Sequence, residues 1–215
     1  MLTGILFLIF NSLSRAALIA FALFEQQIDF SIIDILQVLS FGLFNDIITA
    51  CYFLAPLALI NLIFSKINTS SRITKSFIYT YNFLLVLGLC FLIVSEFTFW
   101  LEFSTRFNFI AVDYLVYTHE IIGNIRESYP IFIIFPLLFI VGTIIYAILH
   151  PIVKAQLHKS IGFKVKIQQF TCLTLIAILS FFYYEPKITD IRDNNYLSEL
   201  SKNGLYNLFS AFLHN

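Results

Sequence analysis

The sequence predicts an all-α, polytopic membrane protein with five transmembrane helices, and three observations predict it. Hydrophobic residues make up 59% of the 215-residue chain and charged residues only 12%, whereas a soluble domain carries roughly a quarter charged. The apolar residues fall in five long runs, each able to cross a hydrocarbon core about 30 Å thick. Basic residues gather in two of the connecting loops, and such a bias sets orientation in a bilayer. The formal net charge of zero provides no basic face to displace phosphate counterions, so no nucleic-acid partner is expected.

Span one covers about 3–24. A cleaved signal peptide ending at the A-x-A of Ala20 to Ala22 is the alternative, but Met-Leu-Thr-Gly supplies no positive n-region. Arg15 sits near mid-span beside Asn11, Ser12 and Ser14, where an unpaired guanidinium is costly, so it should turn to the bundle and find a partner. Its roles are structural pairing or contact with a lipid head group or substrate. The loop 25–37 holds Glu25, Asp29 and Asp34, and its alternating Ile and Asp predict a short surface helix. Span two, about 41–64, contains Asp46 about 8 Å in from its end, the natural partner for Arg15, and Pro56, a potential kink.

Span three, about 77–101, ends in SEFTFWLEF, where Glu96 and Glu102 flank an aromatic belt. Two carboxylates at this spacing suit an acid/base or metal pair less well than ion pairs to Arg106 or Arg126. Span four, about 131–150, begins after Pro130 and ends before Pro151, and span five is about 167–184. The loops after spans two and four carry Lys66, Arg72, Lys75 and Lys154, Lys159, Lys164, Lys166, with no acid. They should be cytoplasmic, which puts the N-terminus inside and the C-terminus outside.

Between spans three and four lies 106–130, RFNFIAVDYLVYTHEIIGNIRESYP. Arg106, Asp113, His119, Glu120, Arg126 and Glu127 make it too charged for a sixth span, while Phe109, Val112, Leu115 and Val116 give it one apolar helical face. The expectation is an interfacial or re-entrant helix on the outer side. The chain thus divides into a five-span membrane domain, 1–184, and an extracytoplasmic tail, 185–215. Leu197, Leu200, Leu205, Leu208 and Phe212 predict one or two amphipathic helices on the membrane surface there, broken at Asn203-Gly204.

Cys51, Cys90 and Cys172 lie in apolar runs without metal or redox spacing and are expected to be small core residues. No Walker loop, GxSxG or HExxH occurs, and His119-Glu120 has no second histidine nearby. Neither an enzyme site nor a metal site is expected in this chain. No inverted repeat marks a transporter, though Arg15, Asp46 and Glu96 could line a polar path.

The run EFSTRFNFIAVDYLVYTHEIIGNIRESYP resembles a segment in the N-terminal membrane region of the lipoteichoic acid synthase family. These are membrane-anchored phosphoglycerol transferases and sulfatase-like proteins of the alkaline phosphatase superfamily. The tail NNYLSELSKNGLYNLFSAFLHN is similar to the linker before their catalytic domain, and five spans with an outer C-terminus agree with that family. A departure falls in span two, where relatives often show Gly-Leu-Arg-Phe-Asp and this chain has Gly42-Leu43-Phe44-Asn45-Asp46.

The resemblance implies the anchor of an envelope enzyme in a bacterial cytoplasmic membrane, non-catalytic by itself, with a divalent metal and nucleophile belonging to a catalytic domain outside this sequence. A split gene, a decayed remnant or a shortened reading frame would each account for that. The implied partners are the bilayer, an anionic phospholipid head group and a separately encoded sulfatase-like chain. Arg106 and Arg126, expected at phosphate level, are the head-group candidates. The alternative is a small independent transporter or channel with Arg15 and Asp46 in its path.

Overall fold

The computed structural model describes residues 2–25, 28–63, 71–116, 123, 125–157, 162–191 and 194–214. Every regular element among them is helical: α1 (Leu2–Phe24), α2 (Ile32–Ile63), α3 (Arg72–Phe103), α4 (Phe109–Val116), α5 (Ile131–Leu157), α6 (Phe163–Tyr183), a 3-10 turn (Pro186–Thr189), α7 (Asn195–Ser201) and α8 (Gly204–His214). Five of these, α1, α2, α3, α5 and α6, are long and apolar enough to cross a membrane.

The spans stand in a row. Helix α1 packs between α2 and α3, α2 carries α6 on its far side, and α3 carries α5. One end of the row collects Arg72 and Lys75 of α3, Lys154 of α5 and Lys164 and Lys166 of α6; it is here called the basic end. The start of α2, the end of α3 and the tail occupy the other end, the tail end.

Local chemistry sets several boundaries. Helix α2 begins with a capping box: Ser31 Oγ accepts from the Asp34 N–H at 3.1 Å, and Asp34 Oδ2 accepts from the Ser31 N–H at 2.9 Å. This cap starts α2 well before Phe41, so the predicted surface helix in 25–37 is the first turns of span two. Helix α3 stops at Ser104, whose left-handed φ of 51° turns its N–H back to Trp100 O. Helix α5 runs past Pro151 to Leu157, and Pro56 and Pro136 also lie within helices. Helix α6 begins at Phe163, one turn ahead of expectation.

The break at 202–203 is where expected, with α7 before it and α8 after; α8 turns one face to the bundle and leaves Phe209, Phe212 and Leu213 exposed. Leu205 packs into the cluster of Leu6, Phe10 and Leu89. The Tyr206 ring meets Tyr52 at 6.0 Å and Tyr184 at 5.2 Å, and Phe209 meets Phe53 at 5.9 Å. Phe53 lies seven residues, or about 10 Å, further along α2 than Asp46. The tail therefore re-enters the bundle. Helix α7 caps the row from above, its Leu197 and Leu200 buried with Leu18, Val38 and Trp100.

Helix α4 rests against α8. Its Ala111 packs with Phe99, Phe107 and Leu208, while Phe109, Asp113 and Tyr114 are exposed. The helix expected across 106–130 is thus realised as α4 and a further helical stretch at 125–128; Tyr117 to Ile122 and Asn124 lie outside the described residues.

Candidate functional site

The residues that chemistry would single out meet where α1, α2, α3 and the tail converge. Arg15 projects from the middle of α1 and is 1% exposed; Asp46 of α2 is 0% exposed. Arg15 Nη1 donates to Asp46 Oδ2 at 2.8 Å and Nη2 to Oδ1 at 3.0 Å, a two-pronged pair. Its remaining donors go to the tail: Nε to Leu200 O at 3.1 Å and Nη2 to Lys202 O at 3.3 Å. Those carbonyls close the C-terminal end of α7, where the partial negative charge of a helix complements a cation. The guanidinium approaches α2 so closely that a Cβ at Gly42 would overlap it, so a glycine is required there.

Asn203 completes the joint. Its Oδ1 accepts from the Tyr206 N–H at 3.1 Å and so caps α8, while Nδ2 donates to Asp46 Oδ1 at 2.7 Å and Asn11 Oδ1 at 3.1 Å. Asn45, one residue before Asp46, donates to Ser201 O at 2.9 Å and Thr189 Oγ1 at 3.1 Å, and its Oδ1 accepts from the Tyr184 hydroxyl. Side chains from α1 and α2 hold the tail at four successive positions, through the carbonyls of Leu200, Ser201 and Lys202 and the side chain of Asn203.

A second buried pair lies beside the first. Glu96 of α3 accepts from Arg106 Nη1 and, at 2.8 Å, from Ser14 Oγ of α1. A Cβ at Gly204 would overlap Glu96 Oε1, so the start of α8 also depends on glycine. Arg106 is 1% exposed, and its Nε and Nη2 have no acceptor among the described residues. Burial lowers the pKa of this guanidinium while the Glu96 carboxylate opposes the shift. Between α1, α3 and α8 lies a cavity of about 10 Å³, lined by Asn11, Ser14 and Glu96 with Phe10, Leu89 and Leu205 among the apolar walls.

The structure brings together Arg15, Asp46, Glu96 and Arg106 of the sequence candidates. Arg106 follows the left-handed residue Ser104 and is buried against Glu96, one of the ion pairs expected for that glutamate. Glu102 is exposed and accepts from the Tyr129 hydroxyl at 2.8 Å, with no arginine paired to it among the described residues. Burial and the Glu102 carboxylate push the Tyr129 pKa up to about 12. Asp113, Arg126 and Glu127 are exposed and stand apart from the cluster, and His119 and Glu120 lie outside the described residues. Asn45, Asn203, Ser14 and Asn11 are the members that complete the site; a polar residue inside an apolar run marks Asn11, Ser14 and Asn45, whereas Asn203 sits in the polar stretch Ser201 to Gly204.

Cys51 and Cys90 are buried, but Cys172 is exposed on α6 and is not a core residue. Among the described residues no group of His, Cys, Asp and Glu is arranged to hold a metal. No family model, curated protein or solved structure matches this chain.

Proposed function

We propose that the chain is the membrane anchor portion of an envelope phosphoglycerol transferase or sulfatase-like enzyme, seated in a bacterial cytoplasmic membrane with the basic end inside. The observation that carries this reading is the way the tail is held. Leu200 to Asn203 are bonded to Arg15, Asp46, Asn11 and Asn45 at the centre of three spans. An anchor that must position a catalytic unit needs a stiff joint, and four buried attachments give one. A flexible tether would need only polar, solvated residues.

The resemblance of residues 102–130 and 194–215 to the lipoteichoic acid synthase family supports the class of enzyme, and the basic end supports the orientation. In this reading residues 1–215 perform no chemistry: the divalent metal and the nucleophile sit on a sulfatase-like catalytic unit that the tail positions. Arg126, exposed before α5, offers its planar fork to the phosphate of an anionic lipid. The transport alternative needs a polar path past Arg15 and Asp46. Both are sealed beneath the tail, which favours the anchor.

The test is affinity purification of the full chain from its native membrane after mild crosslinking, together with an alkaline phosphatase reporter after Asn215. Recovery of a chain with a sulfatase-like domain and an active reporter is expected. An inactive reporter with a fluorescent cytosolic counterpart, or recovery without any such chain, overturns the reading.

A further inference from the structure

The cavity between α1, α3 and α8 is small, bounded by three elements, and lined in part by Asn11, Ser14 and Glu96. Each keeps bonding capacity. Ser14 Oγ has given its proton to Glu96 Oε2 and retains lone pairs. Asn11 Nδ2 donates to Phe7 O at 2.9 Å, which uses one of its two N–H groups. Glu96 receives both of its hydrogen bonds on Oε2, and Oε1 faces the start of α8 at Gly204. The space open to a water's centre, about 10 Å³, is that of roughly one molecule.

Charge decides what species belongs there. Arg15, Asp46, Glu96 and Arg106 are all at least nine-tenths buried, and their formal charges cancel. Adding a cation or an anion would leave a net charge in a low-dielectric interior at a cost of several kcal/mol. A neutral molecule that both donates and accepts adds none. Cavities walled wholly by apolar side chains stay dry, but a polar one offering two to four partners does not.

We propose that this cavity is an internal water site, in which one water bridges Asn11, Ser14 and Glu96 Oε1 and ties α1 to α3 within the membrane. It is independent of the anchor reading and holds for any function of the chain. The water gives the Glu96 carboxylate a partner on its second oxygen, and so lets one glutamate serve Arg106, Ser14 and the solvent site at once.

The test is X-ray radiolytic labelling of the purified full chain in lipid nanodiscs, where hydroxyl radicals formed from a bound water modify the side chains touching it. The fold supplies matched controls. Phe10, on the cavity, and Phe7, off it, are both 7% exposed; Leu89 on the cavity is 4% exposed and Leu197 elsewhere 3%. Phe10 and Leu89 are expected to be modified several-fold faster than Phe7 and Leu197. Ser14→Val, which removes a partner, and Leu92→Phe, which fills the space from its apolar side, should each abolish the excess. Equal rates in the natural chain overturn the proposal, as does an excess that survives in whichever of the two variants folds. A rate that follows the identity of the salt cation also overturns it, in favour of an ion.

Discussion

Helix α1 and helix α5 are both long and apolar enough to cross a membrane, α5 the more apolar, yet they live in different surroundings. Half of the apolar window of α1 is buried within the protein, against 6% for α5 and for α6. The reason is position in the row: α1 has α2, α3 and α7 around it, whereas α5 rests chiefly on α3 and α6 on α2. The polar residues follow. Arg15, Asp46, Glu96 and Arg106 lie in or beside the three central helices, while α5 presents Phe132, Ile133, Phe135 and Leu137 outward. In hydrocarbon, apolar surface gains nothing from burial against another helix, so close packing and polar bonds hold the centre and lipid solvates the rim.

The sharpest way to break this contrast is Asp46→Ala, which leaves the Arg15 guanidinium buried beside the tail carbonyls with no counter-charge. A loss of about 3–5 kcal/mol is expected, read as a fall in melting temperature of the detergent-solubilised protein. Gly42→Ala comes next, since its methyl would enter the space of the guanidinium; about 1–3 kcal/mol should be lost. Gly88→Ala, on α3 with open space around it, should leave the same melting curve unmoved.

A smaller effect belongs to the exposed joint between α3 and α5. Tyr129 has its pKa raised to about 12 by burial and by Glu102, above roughly 10 for a free tyrosine. Its contribution to stability is therefore complete below about pH 10 and is lost as pH rises through 12. Stability measured from pH 9 to 12 should fall more steeply in the natural chain than in Tyr129→Phe, and parallel curves would remove the pair from the account. The smallest effect is expected at the rim. Phe132 is 90% exposed on α5, and Phe132→Ala should change the melting temperature by the equivalent of under about 0.5 kcal/mol.

Much of this contrast can be read from the chain alone, because hydropathy and formal charge are local properties. Five apolar runs correspond to five long helices. Arg15 and Asp46, each too costly to leave alone in lipid, are joined, and Asn203-Gly204 marks the turn between α7 and α8. What escaped is what depends on direction. The leucine spacing of the tail specifies a helix with an apolar face, but the same spacing serves a helix on a surface and one wedged against Tyr52 and Phe53. Arg106 is legible as a partner for Glu96 or Glu102, but which of the two it takes depends on the turn at Ser104, where the backbone is left-handed. Asn45 and the bonding role of Asn203 escaped because an amide reveals its importance only when its partners, 144 and 157 positions away in sequence, are known.

The bond from Arg15 to the carbonyl of Leu200 joins residues 185 positions apart, and this orders events during synthesis. Helices α1 and α2 can join in the bilayer as soon as both have left the ribosome, with Asp46 steadying Arg15 while the rest is made. Leu200 and Lys202 are made only after all five spans, so the first span waits for α7 before its arginine gains those two acceptors. Until then the seam between α1 and α2 lacks its cover, and α7 is what closes it.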